Sequence, residues 1–272
     1  RVPSVDPREW TLTVEGERTL TLTYDELLAR PMVEVDITLA CVSNEVGGDL
    51  VGTARWLGCR LDDLLEEAGV PGGADQVMGT SVDGFTAGFP VAVLDGRDAL
   101  VAVGMNGEPL PALHGFPARI VVPGLYGYVS AVKWLSSIEL TTFDAAQGYW
   151  IPRGWAVEGP VKTQSRIDTP AGGASIDAGP TPVAGVAWAP TIGIEAVEVR
   201  VDDGPWNEAR LGEEYVDTTW RQWMWEWDAT PGRHRIEVRA TDAEGVTQTE
   251  QRTEVAPDGA SGWHSVSVEV RG

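Results

Sequence analysis

Residues 38–45 read TLACVSNE. The run before it, VEVDITLA over 33–40, has the composition of a strand, and Cys41 stands where that strand gives way to a polar turn. A thiol delivered to a strand end can, once deprotonated, serve as a soft metal ligand. A lone cysteine among apolar neighbours is more often a small core hydrophobe. The meaning of Cys41 therefore depends on its surroundings.

On the N-terminal side, EWTLTVEGERTLTLTY (9–24) alternates apolar and polar residues around a glycine turn and predicts a β-hairpin, followed by a short helix over 24–30. On the C-terminal side a connector, GGDLVGT, leads to RWLGCRLDDLLEEAGV. There Leu61, Leu64, Leu65 and Ala68 fall at helical spacing and Gly69 is the stop signal. Cys59, just before this helix, reads as packing. With only two cysteines and three histidines a zinc site is excluded, which leaves one disulfide or two unpaired thiols.

Further along, QVMGTSV, GFTAGFPVAV and ALVAVGM predict strands of a mixed sheet, and ARIVV is a strand with rigid Pro- and Gly-rich loops at both ends. Periodicity fades over 142–168, which reads as an ordered crossover, and TPAGGASIDAGPTP reads as a linker. Beyond it, short strand candidates separated by turn residues have the spacing of a β-sandwich. Trp223, Trp225 and Trp227 share one face of one strand, as sandwich core, an inter-subunit surface or a sugar-binding platform.

The 41 acids against 20 bases give a net charge of −21, with no block of Lys and Arg. That excludes a nucleic-acid or anionic-membrane surface and makes each cation near Cys41 worth following. No apolar run approaches the roughly 18 residues that span a bilayer, and no signal peptide is visible. The chain opens at Arg1 rather than Met, from which we expect a segment upstream.

The order TLACVSNE, GTARWLGCRLDDLLEEAGV, MNGEPLPALHGFPARIVVPG and VSAVKWLSSIEL resembles the sulfite oxidase family of molybdopterin-dependent oxidoreductases. The C-terminal sandwich resembles that family's immunoglobulin-like dimerisation domain. The resemblance implies an α+β protein: a mixed α/β molybdopterin-binding domain over 1–168, a linker over 169–182 and an all-β immunoglobulin-like sandwich over 183–272. It also implies that Cys41 is the thiolate ligand of molybdenum, that His114, Arg119 and Lys133 hold the phosphate and pterin of the cofactor, and that Ser130 stands in the same loop. Chemically the trio suits an anion: an imidazole, a forked guanidinium and a point-charge ammonium in an acidic chain. Arg55 matches an arginine lining the substrate pocket, with a structural salt bridge as the competing role, and Asn44 matches the asparagine that braces the cysteine loop.

The departures bear on substrate. Where the family continues its cysteine motif with arginine, this chain has Glu45; Val103 stands where a pocket tyrosine is expected; APTIGIE contains no arginine. A pocket that exchanges a cation for a carboxylate binds a small dianion poorly. The expected activity is oxygen-atom transfer on a substrate other than sulfite, neutral or cationic, with electrons leaving to an external or membrane partner. The crossover over 148–168 is similar to that of bacterial members preceded by membrane helices, which implies an extracytoplasmic soluble part of a membrane-anchored protein. The alternative function is a cofactor-free binding or structural domain that has kept the fold.

Overall fold

The computed structural model describes residues 2–272, which are mostly β with few helices. Two compact units divide the chain: Arg1–Val42 with Thr53–Pro160, and Ser43–Gly52 with Val161–Gly272.

In the first unit, β1 (Thr11–Glu15) and β2 (Thr19–Thr23) form the predicted hairpin, with Leu12 opposite Leu22. Thr23 then starts α1 (Tyr24–Leu28), shorter than the 24–30 predicted. Its hydroxyl accepts the Glu26 N–H while the Glu26 carboxylate receives the Thr23 N–H, so two otherwise unpaired donors are satisfied. β3 (Val33–Ala40) follows as predicted. The stretch read as connector and helix lead is different: β4 runs over Val51–Arg60, and only then does α2 (Leu61–Ala68) begin. Two glycines and two arginines among apolar residues obscure the alternation of β4 in the sequence.

The remaining elements are β5 (Gln76–Ser81), β6 (Thr86–Pro90), β7 (Leu100–Met105), β8 (Glu108–Pro109), β9 (Arg119–Val121), α3 (Gly127–Ser130) and β10 (Leu135–Thr141). They complete two sheets, ordered β2-β1-β10-β5-β6 and β3-β4-β7-β8, with β9 paired to β7. LVAVGM is continuous rather than alternating because β7 is buried on both faces. Val101 and Val103 enter a core with Leu12, Leu64 and Ile138, while Leu100 and Ala102 enter a second with Ile37, Trp56 and Val121. Asn106 and Gly107, both at positive φ, make the tight turn from β7 to β8. Cys59 is buried in the first core, where loss of solvent pushes its thiol up to about 11.

The second unit is all β: β11 (Gln164–Thr169), β12 (Ser175–Asp177), β13 (Gly179–Trp188), β14 (Ile194–Val201), β15 (Asn207–Glu208), β16 (Arg210–Leu211), β17 (Arg221–Ala229), β18 (Gly232–Asp242) and β19 (His264–Arg271). Sheets β11-β13-β17-β16 and β12-β19-β18-β14-β15 share one core, to which Val183 and Trp227 come from one side and Val199, Ile236 and Val268 from the other. Trp223 and Trp227 are buried and Trp225 packs against them, so this tryptophan face is core. The stretch 169–182 is not a linker. It contains the end of β11, all of β12 and the start of β13, and the division between units falls at Pro160 and Val161. Its Gly and Pro residues belong to strand ends and turns of the sandwich.

Of the α+β expectation the structure shows the coarser part, a mostly β protein with few helices, of which α2 is the longest α-helix of the described residues at eight residues. Ser43–Gly52 belongs with this second unit. Asn44 Oδ1 accepts the Leu50 N–H at 2.8 Å and closes the loop on itself. Gly48 O accepts from Arg166 Nη1 at 2.9 Å, and His264 Nδ1 accepts the Ile167 N–H at 2.9 Å. Gly47, at φ +80°, lies so close that a Cβ there would be 2.1 Å from His264 Cδ2.

Candidate active site

Residues 33, 35, 37 and 39 of β3 pack toward the core of Trp56 and Val121, and Leu39 and Cys41 carry that side to the wall of a cavity of about 650 Å³. Cys41 is an exposed free thiol at its edge, and Cys59 is separately free and buried, so no disulfide joins them. Arg119 begins β9 two residues from Val121, on the same side of that strand. It enters the cavity from there, only 6% exposed.

The turn that carries His114 is held by its own carbonyls to β9 and to the two residues just before β10. Arg119 Nη1 donates to His114 O at 3.1 Å, Lys133 Nζ to Leu113 O at 3.1 Å and Trp134 Nε1 to Ala112 O at 2.8 Å. Gly115 closes the turn at φ +110°, where a Cβ would lie 2.9 Å from that of Lys133 and 3.2 Å from that of Arg119. No larger residue allows this approach. The effect is to bring His114, Arg119 and Lys133 to one cavity with Cys41.

The electrostatics of this trio are unfavourable as they stand. Burial alone lowers the Arg119 guanidinium to about 10, and its Nε is a buried donor without an acceptor. Its Cζ lies 4.9 Å over the ring of Trp56, whose Nε1 is another buried donor without an acceptor. His114 is lowered by burial and then by the charges of Arg119 and Lys133; Lys133 is lowered by burial and by Arg119, with Asp83 opposing. Among the described residues Arg119 has no ion pair. A buried cation with an open donor, beside a second cation and an imidazole that the two of them discourage from protonating, is costly, and an anion offsets these costs together.

The other expected site residues fall elsewhere. Ser130 is fully buried and spends its hydroxyl on Tyr126 O at 3.1 Å, bracing α3 rather than reaching the cavity. Arg55, on β4, forks onto the Asp36 carboxylate at 3.1 and 3.0 Å and lines a separate surface pocket with Glu34 and Asn106, so the structure does not bring it together with Cys41. Asn44 lies in the loop described above. The sequence reading missed Asp83, Phe85, Tyr128 and Trp150, which also line the cavity. The Asp-Gly turn between β5 and β6 was a visible signal for the first two; nothing in the irregular segment around Trp150 marked it.

A family model described as the oxidoreductase molybdopterin binding domain matches residues 1–150. Mitochondrial sulfite oxidase of Mus musculus is 30% identical across 99% of this chain and 59% of its own length. Nitrate reductase [NADH] 1 of Oryza sativa subsp. japonica is 33% identical across 54% of this chain and 19% of its own. The chain thus spans about three fifths of the length of the sulfite oxidase it matches, at 59%. Among solved structures, the sulfane dehydrogenase SoxCD from Paracoccus pantotrophus has the same fold, with a TM-score of 0.85 at 22% identity over 98% of this chain and 77% of that one. On these matches, the chain belongs to the sulfite oxidase family of molybdopterin-dependent oxidoreductases.

Proposed function

We propose that this chain is the molybdenum-cofactor-binding part of an oxidoreductase that transfers an oxygen atom, with Cys41 as the protein ligand of the metal. When bound, the cofactor supplies two-electron redox chemistry and oxygen exchange with the substrate. The chain's own residues bind, orient and shield. Arg119 offers its fork to the cofactor's anionic groups from a fixed position, because its bond to His114 O and its stacking on Trp56 hold the side chain before anything binds. Lys133 adds a second charge. His114 holds a proton more readily once an anion offsets the cations that lower it. Ser130 braces the wall formed by Gly127, Tyr128 and Ala131. Arg55 ties β3 to β4 through Asp36, and Asn44 keeps the cysteine loop closed.

The observation that carries this reading is the unpartnered Arg119 Nε buried in the cavity that Cys41 opens onto. A cofactor-free scaffold has no use for it. To the same reading belong an external or membrane electron partner, homodimerisation through the second unit as an immunoglobulin-like sandwich, and an extracytoplasmic place for the soluble part of a membrane-anchored protein. Fractionation of the source cells checks the last, and recovery in the cytoplasm overturns it. Metal and pterin analysis of protein from a molybdenum-replete host tests the centre. The wild type is expected to carry both, and Cys41→Ser to lose most of its molybdenum and all oxygen-transfer activity while remaining folded. Wild-type protein free of molybdenum and pterin overturns the proposal.

A further inference from the structure

His234 stands near the start of β18, its side chain 14% exposed, and both of its ring nitrogens are engaged. Nδ1 meets Asp202 Oδ2 at 2.5 Å and Nε2 meets Thr230 O at 2.8 Å. A carboxylate and a carbonyl only accept, whereas a neutral imidazole carries a single N–H. Both contacts are hydrogen bonds only when the ring is an imidazolium with a proton on each nitrogen. Asp202 is ionised for its part: burial works against the charge, but the Arg235 N–H and His234 outweigh it and hold the carboxyl below the usual carboxylate range.

The ring joins two turns. Asp202 and Asp203 lead from β14 to β15, and Gly204 N closes that turn on Val201 O at 2.9 Å. Both aspartates are left-handed, at φ +51° and +59°, a backbone that a residue with a Cβ adopts at a cost. Outside support therefore decides whether the turn stays closed. Asp202 supplies it twice, since Oδ1 accepts the Arg235 N–H at 2.8 Å and Oδ2 receives His234. Through Nε2 the same ring reaches Thr230, in the turn from β17 to β18. Just downstream of Asp203, the Trp206 ring lies 4.7 Å from Arg200 Cζ, 4.3 Å from Arg239 Cζ and 5.0 Å from the ring of Trp263. The β14–β15 turn sets where that tryptophan is delivered.

From the β14–β15 turn the imidazole faces Asp202, and from β19 it is within reach of the Glu269 charge. From β17 it meets the uncharged ring of Trp227, edge-on at 5.1 Å. On β18 itself, Arg233 stands in register with Glu269 and Arg235 pairs with Glu237. The bond to Asp202 raises the imidazole above its ordinary value; burial opposes, and Thr230 O with the charges of Asp202 and Glu269 adds to the rise.

We propose that His234 is a proton-operated clasp: as an imidazolium it ties the β14–β15 turn to the β17–β18 turn, and loss of one ring proton undoes a tie and frees the turn that seats Trp206. A histidine raised in the folded state stabilises fully below the unfolded value of about 6.5 and loses that contribution as the pH rises through the folded value. Opening of the turn then grows roughly tenfold for each unit by which the folded value exceeds the unfolded one. The clasp lies within the second unit and stands independently of the cofactor reading.

Two measurements on the full chain test it. Nuclear magnetic resonance of carbon-13-labelled histidine rings follows each titration, and His234→Gln identifies the signal. His234 is expected to titrate above about 6.5, and in Asp202→Asn to fall back to that value or below it. Hydrogen exchange of residues 202–206, corrected for its intrinsic dependence on pH, is expected to quicken in the wild type between about pH 6 and about pH 9, by roughly tenfold per unit of the measured shift, and to stay level in His234→Gln. A wild-type His234 that titrates at or below about 6.5 overturns the inference, as does corrected exchange that is the same at both ends of the range. Equal quickening in wild type and His234→Gln also overturns it, because another group then carries the effect.

Discussion

Arg119 shows how much chemistry one position carries. A guanidinium inside a protein normally meets a carboxylate, and in a chain with 41 acids a partner is easily had. Here burial has been accepted without one, which sets stability against binding. Arg119→Met is therefore expected to leave the thermal midpoint of the cofactor-free protein no lower than wild type. Retention of the cofactor should fall roughly ten- to hundredfold, the equivalent of one charged hydrogen bond. A midpoint that drops sharply without cofactor would mean that the side chain is structural. At this scale the sequence was informative where chemistry repeats a pattern: Cys41, His114, Arg119 and Lys133 meet as the family order implied. It was not informative for Arg55, because Asp36 lies on the neighbouring strand, and only pairing of β3 with β4 makes the two neighbours.

Among elements, β11 and β19 are joined by a neutral imidazole, whose ring also lies against Gly47 of the 43–52 loop. His264 Nδ1 must be unprotonated to accept the Ile167 N–H, and burial, then Arg166, lowers its pKa. An imidazole depressed in the folded state stabilises above the unfolded value of about 6.5 and loses that contribution as the pH falls through the lower folded value. Denaturation midpoints measured from pH 7 to pH 5 should thus fall further for wild type than for His264→Gln. Equal slopes would remove His264 from the account. Gly47→Ala is expected to cost about 1–3 kcal/mol, since the residue needs a left-handed backbone and its Cβ would strike the His264 ring. Denaturant unfolding measures it.

Element boundaries divide the legible from the illegible in the same physical way. The first hairpin and α2 were readable because their apolar period is undisturbed. β4, β11 and β12 were not, because glycine and proline required by bulges, turns and close backbone approaches look like loop in one dimension, whereas β13, β14, β17, β18 and β19 fall on the strand candidates read from the sequence. Gly185 is an example: a Cβ there would lie 1.8 Å from Arg166 O, so a strand interior carries a glycine for the sake of its neighbour.

For the whole molecule the dominant fact is a charge of −21. Two copies of such a chain repel, and the repulsion is screened over about 10 Å at 0.1 M salt. If the second unit dimerises as proposed, light scattering should report a dimer fraction that rises as sodium chloride is taken from about 0.01 to 0.5 M, the span over which screening shortens severalfold. A monomer throughout at micromolar concentration counts against the dimer.

The grouping of Ser43–Gly52 with Val161–Gly272 also has a consequence for how the protein is made. A chain leaves the ribosome from its N-terminus, and domains generally fold as they emerge. Cys41 and the loop after it appear early, but Arg166, which donates to Gly48 O of that loop, and His264, whose ring lies against Gly47, are synthesised only much later. Until β19 is out, the loop lacks the His264 ring that lies against Gly47. A nascent protein truncated before residue 264 is expected to leave the ribosome with its cysteine loop still loose.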